Sequence, residues 1–562
     1  MLLNFAYSRR SSIQTRMNSL VVMLSPNLRR DRVSYDGTLT QPLRFREAIS
    51  ALHDVVISDL RFKQKDKSAY EAFKAEQKKR EDDLRRAVTR EVRANALAQQ
   101  VEPMPDGLEQ LFREKRRIYW DARQEYANYL YRQDPEIWRL LMPCDPVITV
   151  ADDVLFFECF SADESSYGCL SVDRGAFAAE RDVSVGTTNV DYSWPLYEHF
   201  QKLRSYRETR FLVDPSGFEV KTHESPDYRE EKIDLPQSWL RGFMMLQSAM
   251  SLPMRRVPLS QEGLYNVVAW LKRHKAARSP RAVRFELTPG KPVNLVLEPW
   301  EKRIVLHSTP YAGPRAEFIR TWGRDRLRVL ARLLPLAEHA EVYLLGTGLP
   351  SFWVVHMGDM RLTLGLSGWT ANDWTSGGSA LDQIAPPAEP SDDLLADIAV
   401  TFTEKPSQSF QEICAKTGGA APFVAAGLNR LALLGQLIHD LPTGLYRWRR
   451  ILPVTLSVSE IAQENVETSE GRRLAGHVQL KQDQRRPDGL RILSGQHGNT
   501  QLELLLDADN RMLRGKCNCS HHFTGGLRRG PCRHLQALRT VATPTATRSS
   551  VQEWFKELWS YF

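Results

Sequence analysis

The feature that most constrains this chain is a cluster of cysteines and histidines near its C-terminus, KCNCSHHFTGGLRRGPCRHLQALR. Cys517 and Cys519 lie two residues apart at the end of a predicted strand, so both side chains leave the same side of the pleat. Cys532 and His534 follow after 12 intervening residues, at the start of a predicted helix. One pair at a strand end and one pair at a helix start can converge on a tetrahedral centre.

The donor set of this centre determines which metal it suits. Three thiolates and one imidazole favour Zn²⁺ and leave no coordination position for a substrate. We therefore predict one structural zinc ion. Two alternatives remain: His521 or His522 could replace His534 as the fourth ligand, or the cysteines could be free thiols in a reducing cytosol. A redox dithiol is disfavoured, because a C-x-x-C pair beside a βαβ unit is absent.

The order of strand, hairpin, C-x-C, spacer, C-x-H and helix resembles the SWIM zinc finger. The resemblance covers about Gln501 to Val541, with the four cysteine and histidine positions in the places of the family's zinc ligands. What it implies is zinc binding, with DNA or protein interaction as the role and no catalysis.

Basic residues surround the predicted zinc ligands, and no aspartate or glutamate occurs between Arg511 and Thr540. These cations could contact a polyanion, or they could form a solvated face that neutralises the thiolates. The candidates for nucleic-acid or partner binding in this stretch are Arg511, Arg514, Lys516, Arg528, Arg529 and Arg533.

Residues 392–452 have the pattern of a second binding element. Three helices, with a short glycine turn between the second and third, precede a two-stranded ribbon around a Pro-Thr-Gly turn, and this order resembles a winged helix-turn-helix. The ribbon contributes Arg447, Arg449 and Arg450 as candidate phosphate contacts, and Asn429 lies on the candidate recognition helix. That helix is mostly apolar, so protein docking is as good an interpretation as DNA reading.

The rest of the chain divides by composition into regions of an α+β, multidomain protein. We predict a mainly helical N-terminal region with a helical hairpin over 1–145, central α+β domains over 146–378 and a linker over 379–391. A β-rich segment over 453–545 contains the ββ-zinc-α module with its core at 501–541, and an amphipathic helix ends the chain at 546–562. Met17 is an alternative start to Met1.

Charge and motifs limit the function. The net charge is +8 and the pI is about 9.0, a mild excess that solubility explains as well as a polyanionic partner does. The nucleotide-binding G-x-x-x-x-G-K-[ST], the zinc-protease H-E-x-x-H and the hydrolase G-x-S-x-G motifs are absent. We therefore predict a non-enzymatic interaction protein without a small-molecule substrate. The alternative of a pocket lined by "GLSGWTANDWTSGG" stays open.

A second resemblance concerns the partner. The predicted helix IRTWGRDRLRVLARLLP and the tryptophan-rich stretch after it are similar to large bacterial SWIM proteins. Some of these work beside MoxR-type AAA ATPases and von Willebrand factor A-type proteins, which implies an adaptor role with a protein partner. An odd cysteine count and the lack of a long apolar run predict a cytoplasmic protein without membrane contact.

Overall fold

A computed structural model gives the fold. It describes residues 3–7, 11–15, 19–57, 146–190, 200–213, 230–235, 237–276, 280–313, 315–368, 390–451, 466–486, 490–506, 512–525 and 531–542, with isolated positions near 107–118, 192–197 and 374. The chain forms two compact units, Asp59–Met142 and the remainder. All elements below belong to the second of these. The predicted helical hairpin lies outside the described residues except for the isolated positions near 107–118. Most of the linker 379–391 and the helix 546–562 also lie outside them.

The N-terminus is built from strands rather than helices. Strands β1 to β4 span Leu3–Tyr7, Ser12–Thr15, Ser19–Leu24 and Ser34–Leu39, and helix α1 spans Pro42–Val56. For residues 3–57 the prediction of a mainly helical region is therefore wrong. The period-two burial of β3 is a strand signal. Its partner in the parallel pairing, residues 208–213, lies far along the chain and gave no local cue.

In the described residues of the central region, seven strands precede helix α2. They are β5 Val147–Val150, β6 Val154–Phe160, β7 Ser166–Asp173, β8 Phe177–Ser184, β9 Gly186–Asn189, β10 Glu208–Val213 and β11 Glu230–Leu235. Helix α2 (Gln237–Met250), strand β12 (Arg255–Ser260) and helix α3 (Gln261–Arg273) follow.

Seven further strands complete it: β13 Val283–Leu287, β14 Pro292–Leu297, β15 Lys302–Pro310, β16 Glu317–Thr321, β17 His339–Leu344, β18 Ser351–Met357 and β19 Met360–Leu366. The amphipathic helix predicted around 318–334 is divided between β16 and a 3₁₀ segment, Arg324–Arg332. Gly323 separates the two with φ 87°, a backbone conformation that side chains disfavour.

An eight-stranded sheet of order β12-β17-β18-β19-β7-β6-β5-β9 organises this region. One face buries α1 and a five-stranded sheet of order β2-β3-β10-β4-β8. The other face packs α2 together with Ile438, Leu441 and Ile451. Because both faces are covered, its strands are almost continuously apolar, as "VLFFECF" in β6 illustrates.

Residues 392–451 form the predicted elements. Helices α4 (Asp392–Glu404), α5 (Phe410–Thr417) and α6 (Ala421–Leu433) alternate with strands β20 (Ser407–Ser409), β21 (Leu437–Asp440) and β22 (Leu445–Trp448). The sheet order is β20-β22-β21. Local chemistry explains the agreement, because Ser409 and Glu412 make a reciprocal capping box at α5 and Gly435 has φ 72° after α6.

The C-terminal region is a four-stranded antiparallel sheet with helices. Its elements are α7 Val466–Ala475, β23 Gln479–Arg485, β24 Arg491–His497, β25 Thr500–Leu506, β26 Met512–Lys516, α8 Ser520–Gly525 and α9 Arg533–Ala542. Leu502, Leu504 and Leu506 alternate along β25, and all three are buried against α9. Among the described residues, no helix combines the length and apolarity needed to cross a bilayer.

A buried histidine on α1 makes stability depend on pH. His53 Nδ1 lies 3.1 Å from the Tyr192 hydroxyl, and its ring stacks on Tyr197. Burial, with a smaller effect of Arg332, lowers the pKa of His53 to about 4 from an ordinary value of 6.5. The unfolded chain therefore binds this proton first, and the free energy of unfolding should fall as the pH drops from 6.5 to 4. The slope from this group is about 1.4 kcal/mol per pH unit.

Urea unfolding of the wild type and His53→Gln between pH 7 and 4.5 measures this slope. The amide can keep a hydrogen bond to Tyr192 but cannot titrate. The free energy of unfolding of the variant should therefore depend less steeply on pH, by the contribution of one titrating proton. Equal slopes for the two proteins would contradict the assignment.

Candidate metal centre and basic surface

The structure brings the four predicted ligands together. Cys517 follows β26, Cys519 precedes α8, and Cys532 and His534 lie at the start of α9. Their ligand atoms all lie within 4.8 Å of one another. Cys517 Sγ is 3.8 Å from His534 Nδ1, and bonds of the usual zinc lengths would separate a sulfur and a nitrogen ligand by about 3.6 Å. The group is close enough to hold one metal ion.

Burial couples the centre to the module's core. Cys532 is fully buried and Cys517 is nearly so, and both pack with the leucines of β25 and α9. Cys519 and His534 are half-buried. An ion bound here would therefore hold the end of β26 against the start of α9.

The electrostatics favour a thiolate at the helix start. The Cys517 thiol donates a hydrogen bond to Cys532, and the backbone N–H groups of Leu535 and His534 add to it. Against the opposing effect of burial, these donors lower the pKa of Cys532 below its ordinary value. The same interaction and burial raise the pKa of Cys517. Thiolates are the metal-binding form of cysteine, and the donors around Cys532 favour that form.

His521 and His522, the alternatives to His534 as the fourth ligand, do not converge with the three cysteines. The backbone N–H of His522 donates to Cys519 Sγ over 3.5 Å, and its Nε2 lies 3.1 Å from the Gly515 carbonyl oxygen. Neither His521 nor His522 belongs to the group of converging ligand atoms. His522 instead orients Cys519, as outer partners of metal ligands commonly do.

An acidic residue from outside the motif meets its basic surface. Glu467 on α7 accepts the Arg533 backbone N–H over 2.7 Å and the Arg533 guanidinium over 2.7 Å. Lys516 lies 3.6 Å from Glu503, and both are largely exposed. Arg514 is also exposed. Arg533 is therefore partly neutralised, whereas Arg514 and Lys516 face solvent. The other three predicted cations, Arg511, Arg528 and Arg529, lie outside the described residues.

Two of the ribbon arginines point inward. Arg447 is 4% exposed and pairs with Asp440 and Asp153, and Arg449 is 3% exposed and pairs with Glu158 on β6. The prediction that these two contact a ligand is therefore wrong, because buried guanidinium groups need carboxylate partners and find them inside the protein. Arg450 remains exposed, 3.6 Å from Asp31.

The candidate recognition helix is also covered. The Asn429 side-chain amide donates to the Ser248 carbonyl oxygen at 3.0 Å and to the Ser251 hydroxyl at 2.8 Å. Val424, Ala425 and Leu428 of the same helix are buried. The apolar character of α6 thus reflects packing on two sides, because Val424 and Leu428 cluster with α4 and Ala425 clusters with α2. A groove-reading role for this helix does not fit that packing.

A cavity of about 330 Å³ lies where the ribbon meets the central sheet. Its walls include Asp153, Phe156, Arg447, Trp448 and Arg450. Sequence reasoning missed it, because its walls come from six separate stretches of chain. The predicted pocket at "GLSGWTANDWTSGG" falls mostly outside the described residues, and the one described tryptophan, Trp374, is buried.

No known protein family and no curated protein matches this sequence. Partial likeness exists to proliferating cellular nuclear antigen from Entamoeba histolytica, with 13% identity and a TM-score of 0.26 over 40% of this chain and 89% of that chain. For the A. fulgidus antigen, bound to the C-terminal region of FEN-1, the identity is 13% and the TM-score is 0.26. The match covers 41% of this chain and 91% of that chain. For the antigen from Thermococcus kodakaraensis, the identity is 12% and the TM-score is 0.27. The match covers 40% of this chain and 90% of that chain. Scores of this size support no argument about fold or function.

Sequence reasoning missed two supporting residues of the centre, Glu467 and His522. A signal for Glu467 existed, because α9 begins without Ser, Thr, Asp or Asn to accept its first N–H groups. An acceptor from elsewhere was therefore required. The sequence could not say which carboxylate supplies it, 66 residues away.

Proposed function

We propose that Cys517, Cys519, Cys532 and His534 bind one structural Zn²⁺, as the resemblance to the SWIM zinc finger implies. The observation that carries this proposal is the convergence of the four ligand atoms within 4.8 Å. Three thiolates and an imidazole give the zinc centre a charge of about −1 and close its coordination sphere. The ion then stabilises the module and takes no part in catalysis, in keeping with a non-enzymatic protein.

The module's function, on this proposal, is to bind nucleic acid through its basic surface. Arg514 and Lys516 are exposed next to the metal ligands. Strand β23 is exposed along its whole length and adds Lys481 and Arg485. Lysine and arginine side chains that neutralise phosphates provide affinity without base specificity.

The alternative is a protein–protein adaptor of a MoxR-type AAA ATPase system, without nucleic-acid binding. One observation favours it: Arg447, Arg449 and the apolar helix α6 of residues 392–451 are buried in the protein. That element then serves as scaffold, and the exposed surface of the C-terminal module is left to meet a protein partner. A cytoplasmic location suits both functions, since none of the six cysteines of the described residues forms a disulfide.

Salt-dependent binding of duplex DNA and single-stranded RNA to the full chain distinguishes the two functions. If Arg514 and Lys516 each neutralise one phosphate, replacing both by alanine should reduce the slope of log affinity against log salt by about 1.8 for duplex DNA. Arg273→Ala provides the control, because this exposed arginine lies on α3 and is not among the candidate binding residues. Its slope should equal that of the wild type.

Two outcomes would overturn the nucleic-acid proposal: no binding at low salt, or a slope that the double variant leaves unchanged. Retention of an AAA ATPase by the same protein under those conditions would support the adaptor function instead.

A further inference from the structure

A second group of metal-binding side chains lies on the eight-stranded sheet. His339 on β17 and His356 on β18 are cross-strand partners in register. Glu341 follows His339 by two residues and therefore shares its face of the sheet. The nitrogen and oxygen ligand atoms of the three residues lie within 4.8 Å of one another. Neither the fold nor the C-terminal centre explains this grouping.

The separations suit a single ion. The two imidazole rings stack with centroids 4.2 Å apart and planes inclined by 11°. His356 Nε2 lies 3.5 Å from Glu341 Oε2. Nitrogen and oxygen ligands about 2.1 Å from a tetrahedral ion lie about 3.4 Å apart. Two of the three ligands are therefore already at the required spacing.

His356 Nε2 is buried, and its separation of 3.5 Å from Glu341 Oε2 is too long for a strong hydrogen bond. A buried polar atom that is only weakly paired destabilises a protein. The lone pair of a neutral imidazole would be satisfied by a metal ion in the gap between His356 and Glu341. This weakly paired nitrogen is the second observation that points to a ligand.

The carboxylate is held in place by an outer set of hydrogen bonds. Arg256 Nε donates to Glu341 Oε1 over 3.0 Å, and the Tyr343 hydroxyl donates to Oε2 over 2.7 Å. Oε2 thus faces His356 with one acceptor direction still open. Outer hydrogen bonds of this kind orient first ligands at metal sites. The Arg256 charge also opposes a cation, so this site should bind more weakly than the thiolate centre.

We propose that His339, Glu341 and His356 form a second transition-metal site, independent of the C-terminal centre. Two imidazoles and one carboxylate suit Zn²⁺, Co²⁺ or Ni²⁺. Three protein ligands leave at least one position for water or an outside ligand. Because His339 is exposed, the ion exchanges with solvent.

Co²⁺ titration of the untagged full chain tests this proposal, since thiolate ligands give cobalt an intense charge-transfer absorption and imidazole with carboxylate does not. The wild type should bind two ions, one with that absorption and one without. His339→Asn and His356→Asn should each weaken the second event at least tenfold and leave the thiolate band unchanged. Cys517→Ser should remove the thiolate band and retain the second event.

His307→Asn is the matched control, because His307 is an exposed histidine on β15. Its titration should equal that of the wild type. One ion per wild-type chain, or a second event that persists in His339→Asn, would overturn the proposal. His339 is exposed, so its replacement reports on metal binding even if His356→Asn fails to fold.

Discussion

Cys532→Ser should abolish zinc binding and unfold the C-terminal module. Cys532 is fully buried among the leucines of β25 and α9 and is one of the four converging ligands. Structural zinc contributes about 10–16 kcal/mol to the folding of small zinc domains, which is comparable to the whole stability of a typical domain. A strong chelator should produce the same unfolding in the wild type.

Metal analysis and hydrogen exchange of residues 466–542 measure the two effects. About one zinc ion per chain should be lost from the C-terminal centre, and amide protection in β24, β25 and α9 should collapse. The rest of the protein should keep its protection. His534→Asn separates metal loss from core damage, because His534 is only half-buried and lies outside the apolar cluster.

Cys414→Ser is the control for cysteine replacement as such. Cys414 is half-buried on α5 and distant from the ligand group. This variant should retain the zinc content and exchange pattern of the wild type. Unchanged zinc in both Cys532→Ser and His534→Asn would remove the proposed centre.

The second large effect is expected from Arg449→Met. Arg449 and Glu158 form an ion pair in which both side chains are almost completely buried, and the Tyr167 hydroxyl also donates to Glu158. Removing the guanidinium leaves a carboxylate in the interior without its cation. Breaking one partner of a buried pair destabilises a protein by about 3–5 kcal/mol.

Urea unfolding compares Arg449→Met with Arg450→Met, its exposed neighbour. The neighbour should shift the free energy of unfolding by less than about 0.5 kcal/mol. In a double-mutant cycle, Glu158→Gln should cost much less in the Arg449→Met background than alone, because the two groups stabilise each other. Equal, small effects of Arg449→Met and Arg450→Met would contradict a buried pair.

Much of the structure followed from local sequence. The zinc-ligand pairs lie within 18 residues, so strand-end and helix-start geometry were enough to bring them together. The helices and ribbon of 392–451 followed from an apolar period of 3.6 and two glycine turns. Interactions of this kind span only a few residues, so a local sequence pattern is enough to predict them.

Other features depended on distant partners. The N-terminal strands pair with β8, β10 and β11. These partners lie far along the chain, so the local sequence around the N-terminal strands does not predict the pairing. Pairs such as His339 and His356 acquire chemistry only when two strands come into register.

The arginines show most clearly where sequence stops and tertiary structure decides. A run of basic residues determines that charge is present, and for Arg514 and Lys516 it led to an exposed surface. Arg447 and Arg449 carry the same charge, yet they are buried against Asp153 and Glu158, 294 and 291 residues away. The physical reason is that a guanidinium enters the interior only where a carboxylate compensates its lost hydration, and the fold alone brings that carboxylate to it.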